Sequence, residues 1–89
     1  MAHHKSAIKR ARQSLKRRAR NQGQRSRVKT AVKNLRSAIT EGDASSAGTA
    51  LTKAESVLRR AASKGAIPTK RASRQISRLA RHVHQLGQA

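Results

Sequence analysis

The chain contains no cysteine, and Phe, Tyr and Trp are all missing as well. Without cysteine there is no disulfide, no thiolate metal site and no cysteine nucleophile, a composition that fits a reducing compartment. Without aromatics there are no stacking platforms of the kind that hold unpaired bases. Any nucleic acid bound here is expected to be held by phosphate contacts and by shape. Acids are scarce too: Glu41, Asp43 and Glu55 stand against 22 Lys or Arg, for a formal net charge of +19. No carboxylates pair at helical spacing, and Gly23, Gly42, Gly48 and Gly65 stand alone rather than forming a phosphate-cradling loop. The chain is therefore expected to be non-enzymatic, with no cofactor, no resident metal and no small-molecule substrate. No apolar run approaches membrane-spanning length, and no apolar signal region follows Met1. The Arg-rich, acid-poor start shares its composition with mitochondrial transit peptides, a minor alternative.

One proline and five glycines interrupt 89 residues dominated by good helix formers, Ala, Arg, Lys, Gln and Leu. No alternating strand pattern occurs, so the fold class is all-α. A first helical segment is expected from about Ser6 to Thr40, closed by Gly42. Its second half carries Val28, Ala31, Val32, Leu35, Ala38 and Ile39 at core-facing spacing. A second segment opens after the N-cap candidate Asp43 and presents Ala47, Ala50, Leu51, Ala54, Val57, Leu58 and Ala61, with Gly65 suited to its stop. A third begins near Pro68 and shows Ala72, Ile76, Leu79, Val83 and Leu86 before Gly87. Three amphipathic helices with short connections predict an up-down-up bundle with a long, basic, projecting first helix.

That first segment is not uniform. Ile8, Ala11, Leu15 and Ala19 form their own apolar stripe, and Val28 lies about 140° around the helix from Leu15. Both stripes cannot face one bundle on a straight helix. Asn21-Gln22-Gly23-Gln24, the weakest helical stretch, lies between them. The expected division is a basic arm over residues 1–24, projecting or bent away, and a bundle over 25–89. With only fourteen Ile, Leu or Val in the chain, the bundle is expected to be weakly stable and the arm to order on binding.

Function is carried by the charge. Lys9–Lys29, KRARQSLKRRARNQGQRSRVK, holds ten cations and no acid. Lys5, Lys9, Arg10, Arg12, Lys16, Arg17, Arg18 and Arg20 point in almost every direction except the Ile8/Leu15 stripe, which suits a channel between phosphate backbones. A merely solvated face would carry counter-charges. Arg outnumbers Lys fourteen to eight, favouring forked hydrogen bonds to phosphate. A second basic set, Lys70, Arg71, Arg74, Arg78 and Arg81, flanks the core stripe of the third segment, where solubilising decoration is the competing account. Lys64 also suits a helix C-terminus on its own. Ala2-His3-His4 places a histidine third if Met1 is removed, a short and common copper- or nickel-chelating pattern. His82 and His84, two apart on a helix, make a poor ligand pair.

The segments HKSAIKR, RQSLKRRARN, RSRVKTAVK, AASKGAI and RASRQISRLARHV, in this order over nearly the whole chain, resemble the bacterial small-subunit ribosomal proteins of the S20 family. The resemblance implies a three-helix bundle whose long first helix inserts into small-subunit ribosomal RNA. It implies RNA contacts at Lys5, Ser6, Lys9, Arg10, Gln13, Ser14, Lys16, Arg17, Arg18, Arg20, Asn21, Ser26, Lys29 and Thr30, and at Lys64, Gly65, Arg74, Ser77 and Arg78. Arg12, Arg25, Lys70 and Arg71 complete the candidate set on charge and position. Where the family shows an Ile-His-Lys-Asn type of run, this chain has Ile67-Pro68-Thr69-Lys70, so contacts of the family's His and Asn do not transfer. The implied partner is small-subunit rRNA, with other ribosomal components left open, in the cytoplasmic ribosome. A nucleoid-type DNA-binding protein is the alternative, and a membrane-active amphipathic peptide a weaker one.

Overall fold

Two glycines divide the chain. Gly42 and Gly65 take φ of +77° and +78°, the left-handed region in which a side chain is strained, and each follows the end of a helix. The computed structural model describes residues 2–88, with side chains for 5–87; His3 and His4, the candidate chelating pair, lie outside the described side chains. Helix α1 spans Ala2–Glu41, α2 spans Ala44–Ser63 and α3 spans Thr69–Gln88.

The N-cap of α2 is Asp43. Its Oδ1 accepts from the backbone N–H groups of Ser45 at 3.1 Å and Ser46 at 3.2 Å, and its Oδ2 accepts from the Ser46 hydroxyl at 2.8 Å. At the other end Ala66 N–H donates to Ala61 O at 2.9 Å and Gly65 N–H to Ala62 O at 3.0 Å, the paired bonds of a Schellman stop. Ala61 and Ala66 are both buried there, so the stop also seals the bundle's end. Pro68 precedes α3 and accepts its first backbone bond, from Ala72 N–H at 3.1 Å. It thus caps the helix from just outside rather than occupying its first turn.

The core joins Val28, Ala31, Val32, Leu35 and Ala38 of α1 to Ala47, Ala54, Leu58 and Ala61 of α2, with Ala66 from the turn and Ala72 and Leu79 from α3. Seven of these twelve are alanines, which let helix axes approach closely; Leu35 and Leu58 are the large side chains wholly enclosed. Helix α2 is the central element of the bundle: α1 and α3 both pack chiefly against it and touch each other lightly.

Two expected boundaries shift. Helix α1 begins at Ala2 rather than near Ser6, since nothing before Ser6 stops a helix, and α3 runs through Gly87 to Gln88 instead of ending before it. The helix also continues unbroken through Asn21-Gln22-Gly23-Gln24. Forty residues make about 60 Å of helix, and the molecule is 68 Å long but 20 Å and 13 Å across. The early half of α1 therefore projects beyond the bundle instead of folding back. Ile8 and Leu15 remain 44% and 64% exposed, because no other helix packs beside that part of α1.

Candidate nucleic-acid interface

Lys5, Ser6, Lys9, Arg10, Arg12, Gln13, Ser14, Lys16, Arg17, Arg18 and Arg20 are all exposed on the projecting part of α1. None of these cations forms an ion pair among the described residues. An ion pair does join Arg59 to Glu55 at 2.6 Å, but it lies on α2 and is solvent-exposed, where such pairs contribute little. Continuing the helical repeat from the core stripe, Arg10 and Arg17 fall on the bundle-facing side of α1, past the point where any bundle remains to face. The stripe that buries Val28 and Leu35 is thus replaced, about three turns earlier, by arginine.

The root of the arm is built differently from its tip. Asn21 and Gln24 are half-buried, and Gln24 Oε1 is covered with no hydrogen-bond partner. Arg25 Nε donates to the carbonyl of Ala66 at 3.0 Å, tying α1 to the turn between α2 and α3. Arg25 was expected purely as an RNA contact, and here part of its guanidinium has a structural partner. No periodic signal marks such a bond, because its acceptor lies 41 residues away.

The remaining candidates separate onto different sides. Lys29 and Arg71 line one groove, between α1 and α3, together with Arg25, Lys33 and Arg36; its volume is about 920 Å³. Ser26 and Thr30 face the opposite side, where Arg27, Asn34 and Lys53 join them above Val57. Ser77 lies in a third groove, between α2 and α3, with Ser63, Thr69, Ser73 and Arg59. Lys64 and Gly65 are exposed on the turn, and Lys70, Arg74 and Arg78 are exposed on α3. The structure therefore does not gather the predicted residues into one patch. It distributes them along α1 and into the grooves between helices.

Lys33 and Arg36 were missed as candidates. They repeat the Lys29 position at i+4 and i+7, so extending the basic run past Thr30 would have found them. Among the described residues no three His, Cys, Asp or Glu come together to hold a metal. No described helix is long and apolar enough to cross a membrane.

The chain's relatives agree with one another. The family model described as Ribosomal protein S20 matches residues 2–84. A small ribosomal subunit protein bS20 from Desulfovibrio desulfuricans is 58% identical over 86 residues, covering 97% of each chain. The protein of the same name from Nitratidesulfovibrio vulgaris is 51% identical over 86 residues, 97% of this chain and 99% of that one. The one from Trichlorobacter lovleyi is 48% identical over 87 residues, 98% of this chain and all of that one. With a basic projecting helix on an alanine-cored bundle and matches of this extent, the chain belongs to the ribosomal protein S20 family.

Proposed function

We propose that this chain is a structural component of the small ribosomal subunit that binds its RNA directly and stabilises the folded RNA by neutralising closely packed phosphates. The observation that carries it is the arm: exposed cations spread around a helix that extends past its own bundle, with no carboxylate between residues 1 and 40 to answer them. Each cation set against a phosphate releases a bound counterion, which makes the binding strong and steeply salt-dependent. Charge of this kind would repel itself in a free compact state, so the arm's helix is completed by its partner. The protein is not an enzyme, and its place is the cytoplasmic ribosome.

The division of labour follows the packing. Residues up to Gln24 act as the RNA-clasping arm, and those from Arg25 form the bundle that fixes the arm's angle of entry, with the Arg25–Ala66 bond at the joint. Arg74, Arg78 and the turn at Lys64-Gly65 supply further phosphate contacts from the bundle. The nucleoid alternative shares the charge but predicts equal affinity for any duplex. In competition binding, small-subunit rRNA should displace the protein from random duplex DNA well before the reverse occurs; equal competition would sink the ribosomal assignment. Changing Arg17 and Arg18 to Ala should lower the salt dependence by up to about two phosphate contacts. An unchanged slope would remove those side chains from the interface.

A further inference from the structure

The groove between α1 and α3 has an apolar floor and a cationic rim. Val28 and Val32 are core residues showing one edge to it, and Ile67 and Pro68 form the opposite wall. Lys29, Lys33 and Arg36 run along its α1 side, Arg71 stands across on α3, and all four are exposed. Glu41, at the far end, is the groove's single carboxylate.

We propose that this groove is a second RNA site, taking one strand along α1 separately from the RNA held by the arm; the proposal rests on the rRNA-binding assignment above. Successive cations at i, i+4 and i+7 stand about 5–6 Å apart at their Cβ atoms, a row that meets neighbouring phosphates of a strand laid along the helix. A slot walled by two helices admits a single strand with its sugars on the Val28/Val32 floor, whereas a duplex would meet only the rim. No aromatic is present to stack a base, but the planar guanidinium of Arg71 can pack against one. An acidic peptide offers similar charge. Continuity favours RNA, because α1 carries the arm's cations into the groove on one unbroken helix, with Lys33 about 24 Å along the axis from Arg17. One folded RNA can therefore reach both surfaces.

The test uses the full chain and small-subunit rRNA, reading affinity across a salt series and hydroxyl-radical footprints. Lys33→Ala, Arg36→Ala and Arg71→Ala together should lower the slope of log K against log salt by up to about 2, at ~0.7 per contact with a single strand. The same variant should uncover an RNA stretch that the Arg17→Ala, Arg18→Ala variant leaves protected. Lys33→Arg with Arg36→Lys should keep slope and footprint. Lys33→Ala alone, expected to lower the slope by about 0.7, carries the test if the triple variant loses helix. An unchanged slope and footprint, the result for a groove that takes an acidic peptide, overturns the proposal. So does loss of the same stretch by the arm and groove variants. A parent protein showing no preference for rRNA overturns the ribosomal assignment itself, and does so before any groove variant is made.

Discussion

Replacing glycine by alanine should have opposite effects at two positions of this chain. At Gly65 φ is +78°, and a Cβ built there meets no atom within 4 Å. Any cost of Gly65→Ala is therefore conformational rather than steric. An L-residue in the left-handed region is disfavoured by about 1–2 kcal/mol, part of which is offset because Ala has less freedom than Gly to lose from the unfolded chain. A net loss of about 1 kcal/mol corresponds to a melting point roughly 4–8 °C lower for a domain of this size. Gly23 also has open space around its Cβ position, but it lies within α1 at an ordinary helical φ. There Ala is favoured over Gly by about 0.5–1 kcal/mol. Because the first buried side chain among the described residues of α1 is Val28, that gain belongs to the helix before the bundle and should appear as added helix in the free protein, with little change in the bundle's melting point. Far-UV circular dichroism, read both as starting helicity and as a thermal melt, separates the two effects. If Gly65→Ala melts with the parent, the Schellman stop is not holding α2 and α3 in place. If Gly23→Ala raises the melting point as much as Gly65→Ala lowers it, arm and bundle are one cooperative unit and their division is wrong.

Three further outcomes are expected. Leu58→Ala removes a wholly enclosed side chain from a core otherwise rich in alanine, at a cost of about 2–5 kcal/mol; a urea titration should find the variant largely unfolded, and a near-parental midpoint would mean the core closes over the gap. The carboxyl of Asp43 is held below its ordinary value, first by the Ser46 hydroxyl and then by the backbone N–H groups of Ser46 and Ser45. Its folded pKa being the lower one, its stabilisation of α2 is present above the unfolded carboxylate range and is lost as pH falls through the folded value. Asp43→Ala should thus melt below the parent at neutral pH and converge with it in acid, and a gap that persists in acid would contradict the assignment. Titrating the free protein with rRNA should raise its helical signal; full helicity before RNA is added would end the account of an arm that orders on binding.

The bundle was legible because its information is periodic. Val28 to Ile39, Ala47 to Ala61 and Ala72 to Leu86 repeat at helical spacing, and all three stripes face inward. The two stops at Gly42 and Gly65, and the cap at Asp43, were legible from residue type, since few side chains serve those positions. That the first half of α1 leaves the bundle was legible in a second stripe that does not continue the core stripe, and Ile8 and Leu15 are exposed where no bundle lies beside the helix. What periodicity cannot encode is a partner distant in sequence. The Arg25–Ala66 bond and the pairing of Lys33 and Arg36 with Arg71 across a groove depend on how α3 leans on α2, which emerges only once all three helices are packed. Gly23 was ambiguous for a related reason. Its helical cost is small beside the run of helix formers on either side, so the helix passes through it.

The placement of charge answers why a protein so basic keeps a folded core at all. Lysine and arginine avoid the twelve buried positions entirely, and no buried polar or charged residue occurs among those described. Repulsion is therefore confined to surfaces, where water and salt screen it over a Debye length of about 8 Å at physiological ionic strength. Along the arm neighbouring cations lie within that distance, and no core opposes them. In the bundle the alanine-rich seam between α1 and α2 does. On the proposed function, the same residues that would destabilise an isolated arm are those whose repulsion the RNA phosphates remove. The free energy of ordering the arm is, on that reading, part of the free energy of binding, and the bundle, whose described core holds no charged residue, is the end from which the arm is presented.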